Sequence, residues 1–334
     1  MINEFAKTHN LKKYQVDQFN IGYYKTLISS FDELSTWSKQ LREDLKKELL
    51  FSKLTVEKTE TSNDGSTTKV LFKTGKNNYI ESVLMRDKSR NTVCVSCMSG
   101  CPVGCIFCAT GQMGLNEILD EQEILDQILY FARELKKENS SITNIVYMGM
   151  GEPMLNLENV AQSIEAITDI DKLAFSKRRV TLSTSGYVQN LRVFLGKNLG
   201  VKVAISLHAP NQKLRDILMP NVSKNNTLID LFEVLDGYVK DTNKRITYEY
   251  VLIKGVNDSI SDAKELVELL KGRLALVNLI NYNENGCFEF KKSDNTLLFQ
   301  DILLKNGINC TIRKSYGGDI KGACGQLSVN YIQC

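Results

Sequence analysis

The 334-residue chain contains only two histidines, four prolines and one tryptophan. Four prolines, with no low-complexity tract, argue against disorder. Long apolar runs are missing as well, and none reaches the ~18 residues that a membrane helix needs. The start, MINEFAKTHNLKKY, has no apolar stretch of the secretory type, so no signal peptide is read there and a cytoplasmic location is expected. Nor is there an excess of one charge. The 42 basic and 39 acidic residues leave a net +3, too mild to establish a nucleic-acid partner, although an uneven placement permits one.

Cysteine is what the chain has in quantity: nine residues. In a reducing cytoplasm these do not form a disulfide framework, which leaves metal binding, catalysis or buried filler. With 43% hydrophobic residues, a chain of this length buries a large core, as one domain with an appendage or as two domains.

Residues 1–50 read as helices. FDELSTWSKQLREDLKKELL places Leu34, Trp37, Leu41, Leu45 and Leu49 at helical spacing. The following TVEKTETSNDGSTTKVLFKTGKNNYIESVLM alternates and is broken at Asn63-Asp64-Gly65 and at Gly75, the pattern of hairpin strands. From about residue 92 strands and helices take turns. TVCVS, ITNIVYMG, RRVTLST, KVAISLH, RITYEYVLI and ALVNLINY read as six strands, and EILDQILYFARELKK, LENVAQSIEAIT, LIDLFEVLDGYVK and SDAKELVELLK as helices between them. This order predicts an α/β fold with a parallel sheet, open or closed into a partial barrel. A full barrel would need eight units. Ligands of such sheets bind at the carboxyl ends of the strands.

The motif CPVGCIFCATGQMG, read as directly following the first core strand, carries Cys101, Cys105 and Cys108 at x3 and x2 spacing. Thiolates are the usual ligands of iron–sulfur clusters, and a cubane takes four. Three leave one iron open to the amino and carboxylate groups of S-adenosylmethionine (SAM), which a reduced cluster can split to give a radical. Phe107, between two ligands, is placed to pack near adenine. The competing readings are a zinc knot built with the Cys94-x2-Cys97 pair, or chance clustering. In YMGMGEPMLN, Gly149 and Gly151 allow close backbone approach and Glu152 can accept from an ammonium; a plain βα turn is the bland alternative. Ser183, Thr184, Ser185, Ser206, His208 and Asn283 fall at later strand ends, where helix capping or turn chemistry would also account for them.

The chain resembles the RlmN/Cfr-type radical SAM RNA methyltransferases along nearly its whole length. The carriers are VCVSCMSGCPVGCIFCATGQMG, MGMGEPMLN, VTLSTSG, AISLHAPN, YEYVLIKGVND, VNLINYN and GDIKGACGQL. The resemblance implies a partial (β/α)6 radical SAM barrel. Residues 1–50 would be a helical RNA-binding accessory domain, 51–90 a β-hairpin connector, 91–315 the core, and 316–334 a loop with the catalytic cysteine. It also implies a [4Fe–4S] cluster on Cys101, Cys105 and Cys108, and SAM contacts at Gly151, Glu152, Ser183, Ser206, Leu207, His208 and Asn283.

The implied reaction methylates an adenine carbon of RNA and uses two SAM per turnover. One SAM methylates a cysteine, matched by Cys324. The second provides the radical that takes hydrogen from that methyl group, so that its carbon adds to adenine. Cys94 matches the cysteine that resolves the adduct through a disulfide, and Glu81 a proton acceptor. Without the resemblance, Cys324 would read as a buried loop thiol and Glu81 as a solvated strand residue. GEP and STSG place the chain nearer the C2 group than the C8 group, which tends to GEA and STIG. Lys321, Gly322, Cys97 and the short ENGCFEF loop depart from the common pattern. The implied partners are large-subunit ribosomal RNA, transfer RNA or both, and an electron donor such as flavodoxin or ferredoxin, with the enzyme a monomer off the membrane. C8 methylation, or radical SAM chemistry on another substrate, are the alternatives.

Overall fold

The structure, a computed structural model, describes residues 2–223 and 225–328. The end of the expected C-terminal loop, 329–334, lies outside the described residues. Alternating side chains in residues 55–95 give four antiparallel strands, β1 (Thr55–Thr61), β2 (Thr67–Lys73), β3 (Tyr79–Asp87) and β4 (Arg90–Val95). β1, at the edge, is mostly exposed and carries Glu57, Lys58 and Glu60, charges that discourage pairing with another chain. After β4 a separate hairpin forms from β5 (Met98–Cys101) and β6 (Gly114–Ile118). Six strands then continue the main sheet in parallel: β7 (Asn144–Tyr147), β8 (Val180–Thr184), β9 (Lys202–Ser206), β10 (Ile246–Leu252), β11 (Ala275–Asn281) and β12 (Cys310–Arg313). The order is β1-β2-β3-β4-β7-β8-β9-β10-β11-β12, an open ten-stranded sheet whose parallel part starts at β4.

The helices are α1 (Ile2–Thr8), α2 (Lys13–Asn20), α3 (Lys39–Glu48), α4 (Ala109–Gln112), α5 (Glu121–Lys137), α6 (Leu157–Thr168), α7 (Val188–Gly196), α8 (Gln212–Leu218), α9 (Pro220–Ser223), α10 (Leu228–Thr242), α11 (Ile260–Leu270) and α12 (Thr296–Lys305). α5, α6, α7, α10, α11 and α12 bury apolar residues in the core shared with the sheet strands. Among the described residues no helix is long and apolar enough to cross a membrane.

Residues 2–51 form a second apolar cluster around Phe5, Phe19, Tyr23, Trp37 and Leu45, which includes Leu129 of α5. Asp126 of α5 fixes this cluster to the sheet: Tyr23 Oη donates to its Oδ1 at 3.3 Å and the Lys53 amide to its Oδ2 at 2.7 Å. Arg133 lies over the Phe51 ring at 4.7 Å.

Three differences from the sequence reading stand out. The helix expected from residue 31 begins only at Lys39, because Ser38 caps it by accepting from Leu41 N at 3.2 Å. Leu34 and Trp37 are buried from a non-helical turn instead. The three-cysteine segment does not leave the first core strand directly; β5 intervenes, and Cys101 is its last residue. A seventh parallel strand, β12, extends the six expected.

Candidate active site

Cys101, Cys105 and Cys108 sit on the loop that joins β5 to α4. Gly100 has φ +77 and lies so close to the Gly114 carbonyl that a Cβ would overlap it, so only glycine lets the hairpin close here. Cys108 N donates to Cys105 O at 3.1 Å, which tightens the loop. Val103 and Phe107 anchor its apolar side against Leu218, Met219, Val222, Val251 and Tyr282. The three thiols face one cavity of ≈180 Å³. Burial pushes the Cys101 thiol up to about 12, with the neighbouring Cys108 adding to it; burial and the other thiols also raise Cys105 and Cys108. Three thiols that line one cavity and are held protonated by burial fit a cationic group, which would draw out their protons.

Glu152 lies across this cavity and is only 3% exposed. Its Oε1 accepts from Thr184 Oγ1 at 2.5 Å and Met154 N at 2.9 Å; Oε2 accepts from Ser185 N and Ser185 Oγ, both at 2.7 Å. Burial raises its carboxyl above the ordinary range while the four donors oppose the shift. Gly151 precedes it at φ +98 against Met98, and Gly149 lies where a Cβ would strike Ser96 and the Val95 carbonyl. Gly149 packs the βα turn onto the end of β4, and Gly151 packs it onto the start of β5. Ser183 and Ser206, at the ends of β8 and β9, approach at 3.3 Å and line the cavity. His208 lines it too, at φ +59, with Nδ1 accepting from Val251 N at 3.1 Å. That bond fixes the neutral tautomer with its proton on Nε2. Burial, with Arg215 adding to it, holds the imidazole down to about 3. Phe107 meets the His208 ring edge-on at 5.0 Å and lines the same wall.

Cys324 and Cys94 line a second, adjoining pocket of ≈110 Å³ that shares Cys108, Met148, Asn283 and Arg313 with the first. Cys94 lies on β4 opposite Val83, buried, its thiol raised to about 12 by burial, with Cys324 adding to the rise and Arg313 opposing it. Cys324 is exposed, not buried. Its loop is tied to the cysteine segment: Ala109 N donates to Gly325 O at 3.0 Å, Thr110 Oγ1 to Leu327 O at 3.1 Å, and Asn285 Nδ2 to Gly325 O at 3.2 Å. Asn283 Nδ2 donates to Cys324 O at 3.0 Å. Upstream, Gly317 packs on Thr67, and Asp319 accepts from Asn63 N at 2.8 Å. Lys321 adopts φ +53.

Two expected residues are placed elsewhere. Leu207 is fully buried in the main core, its side chain away from the cavity, and its amide donates to Glu249 O. Glu81 is not a solvated strand residue. It is 1% exposed, ion-paired with the buried Lys69 at 2.9 Å, and accepts from Ser328 N at 2.6 Å. Three residues that the motifs did not single out belong to the site. Glu249 and Arg313 line the cofactor-side cavity, and the fully buried Arg215 donates to the Ser185 carbonyl that supports the Glu152 cradle. A charged residue inside an otherwise apolar parallel strand, as Glu249 is in YEYVL, was the available signal.

Among the described residues no three His, Cys, Asp or Glu side chains converge on a single metal ion. A three-thiol cavity beside a buried carboxylate and two strand-end serines instead defines the class of radical SAM proteins. The Radical SAM superfamily description matches residues 95–270. The chain is 41% identical to a probable dual-specificity RNA methyltransferase RlmN of Dictyoglomus turgidum, over 96% of this chain and 92% of that protein. It is 42% identical to the dual-specificity RNA methyltransferase RlmN of Campylobacter lari, over 94% and 92%. A crystal structure of a radical SAM methyltransferase from Sphaerobacter thermophilus superposes with TM-score 0.95 at 40% identity, covering 98% of this chain and 96% of that one. The chain belongs to the RlmN family of radical SAM RNA methyltransferases, with a [4Fe–4S] cluster and SAM as cofactors.

Proposed function

We propose that the protein methylates C2 of an adenosine in large-subunit ribosomal RNA and in transfer RNA, through a methyl group carried on Cys324. The observation that supports this most is the placement of Cys324 and Cys94 in one pocket that adjoins the three-cysteine cavity. Cys101, Cys105 and Cys108 hold the cluster. Glu152, Ser183, Ser206, His208, Asn283 and the Gly151 backbone hold SAM, whose ammonium finds in Glu152 a buried carboxylate; Leu207 contributes its backbone rather than its side chain. Bound cluster and SAM supply a methyl group and one-electron, hydrogen-abstracting chemistry.

Cys324 takes the methyl group and then carries its carbon, in a covalent bond, to the adenine. The Cys94 thiolate attacks the Cys324 sulfur; the bond from that sulfur to the transferred carbon breaks, its electron pair leaves with the adenine, the carbon takes a proton to become the methyl group, and the two cysteines remain as a disulfide. Glu81, matched to the acceptor of the proton displaced from the ring carbon, lines neither thiol pocket and can serve only once both Lys69 and Ser328 release its carboxylate. The adenosine must be unpaired or flipped to reach the pocket. GEP and STSG favour C2 over C8. The helices of residues 2–48 serve RNA binding, and a cytoplasmic monomer receives electrons from a flavodoxin or ferredoxin.

The test uses anaerobically reconstituted enzyme with ribosomal and transfer RNA. Cys324→Ala abolishes product, and Cys94→Ala accumulates a protein–RNA adduct on denaturing gels. Full turnover by both variants refutes the reading.

A further inference from the structure

Arg313 ends β12 opposite Ile280 of β11, at the carboxyl rim where the two pockets meet. It lines both. Its Nη1 stands 3.3 Å from Met148 Sδ and 3.8 Å from Glu249 Oε2. Glu249 is itself steadied across the strands: Asn278 Nδ2 donates to its Oε1 at 3.0 Å, and Thr311 Oγ1 donates to Asn278 Oδ1 at 2.6 Å. Glu249 Oε2 has no hydrogen-bond partner among the described residues.

A guanidinium carries five N–H donors. Among the described residues Arg313 gives one to a thioether, a weak acceptor, and faces a carboxylate beyond hydrogen-bond distance. Its remaining donors are available to groups in the pocket, where the two thiols are. Nearby Cys324, and after it Glu249, push the Arg313 guanidinium up, and Arg313 in turn lowers the Cys94 thiol against its burial.

We propose that Arg313 is a positioning residue for the thiol pair: anchored beside Glu249, it directs its unused N–H groups to the Cys324 sulfur and orients it to accept the first methyl group. This rests on the two-cysteine reading above. In that step the methyl carbon bonds to the Cys324 sulfur as the sulfonium C–S bond of SAM breaks. The electron pair of the broken bond stays on the leaving thioether, S-adenosylhomocysteine, and the thiol proton passes to water. Once Cys324 is a neutral thioether, the same cation is left facing Cys94, the sulfur that must next act as nucleophile.

The experiment follows S-methylation of Cys324 by peptide mass spectrometry in reconstituted, RNA-free enzyme, and alkylation of Cys324 by iodoacetamide in cluster-free protein. Arg313→Met slows both by about 10- to 100-fold, the range of a charge-assisted hydrogen bond. Arg313→Lys, which keeps the charge and loses the planar fork, stays within about 10-fold of wild type. In Arg313→Ala, added guanidinium at sub-denaturing concentration restores part of the alkylation rate, which a purely structural role would not allow. Should Arg313→Met not fold, the Arg313→Lys and guanidinium arms decide. Wild-type rates in Arg313→Met, or no guanidinium rescue of a slowed Arg313→Ala, overturn the proposal. A wild-type enzyme that methylates RNA while Cys324 never carries methyl overturns the two-cysteine reading instead, and is recognised by the absent methyl in the wild-type peptide.

Discussion

Replacing Glu152 by glutamine separates its structural and binding roles. The carboxylate accepts from four donors, two on each oxygen, and each oxygen takes one backbone amide, Met154 N or Ser185 N. A carboxamide has one acceptor oxygen. Whichever way it is turned, one backbone N–H meets an NH2 group and loses its partner. The Thr184 and Ser185 hydroxyls can rotate and accept, so they do not add to the loss. A buried donor left unpaired costs about 1–3 kcal/mol. Against this, burial raises the Glu152 carboxyl, so the charged form opposes folding and a neutral side chain relieves that cost. The two effects offset, and apo stability should fall by no more than about 2 kcal/mol.

SAM binding has no such offset. The Thr184 or Ser185 hydroxyl turns off the carboxylate to admit the ammonium, and in the variant that buried charge-assisted bond is lost, worth about 2–3 kcal/mol, or about 30- to 150-fold in Kd. The pH dependence follows from the raised pKa. The folded protein holds the Glu152 proton more tightly than the unfolded chain. That stabilisation is complete below the ordinary carboxylate range and is lost as pH rises through the folded value. The ammonium needs the ionised form, so wild-type affinity weakens as pH falls through that same value, and Glu152→Gln shows no such slope. Calorimetric titration of reconstituted enzyme under argon measures both. A variant Kd within threefold of wild type, or the same pH slope in both proteins, refutes the assignment.

Lys69→Met leaves Glu81 as a buried carboxylate without its cation at 1% exposure. Urea denaturation of the apo protein should show a loss of about 3–5 kcal/mol, while Lys69→Met with Glu81→Gln recovers much of it. Gly151→Ala must hold φ +98 and place a methyl 2.6 Å from the Met98 side chain. It should cost about 2 kcal/mol or more in the same assay and lower SAM affinity by shifting the turn that carries Glu152.

The alternation of strands and helices was legible because α5, α6, α10 and α11 each show an apolar stripe and the long strands a β-branched run. What escaped the sequence did so for local reasons. β5 and β6, MSGC and GLNEI, have glycines where alternation would show, and their pairing depends on the close approach of Gly100 and Gly114. β12 is four residues long, too short to stand out from its loop. Leu34 and Trp37 fit a helical period, yet they reach the N-terminal core from a turn that Ser38 closes, so packing satisfies the pattern without the helix. Most of the rim was readable from motifs at strand ends. Arg313 and Arg215 were not, because a charged residue in a strand or short helix declares its inward direction only when the sheet is assembled; Glu249 carried one signal, its charge within an apolar strand. Glu81 shows the converse: a glutamate in an alternating strand looks solvated until Lys69, on the neighbouring strand β2 and two residues along in register, is seen to cover it.

The most direct measurement is nucleoside mass spectrometry of ribosomal and transfer RNA after anaerobic incubation with reconstituted enzyme, SAM and a reductant, with the SAM methyl group deuterated. The expected product is 2-methyladenosine carrying the label. If the same incubation yields 8-methyladenosine, or unmodified adenosine while SAM is consumed, the enzyme does not methylate adenine C2 through Cys324.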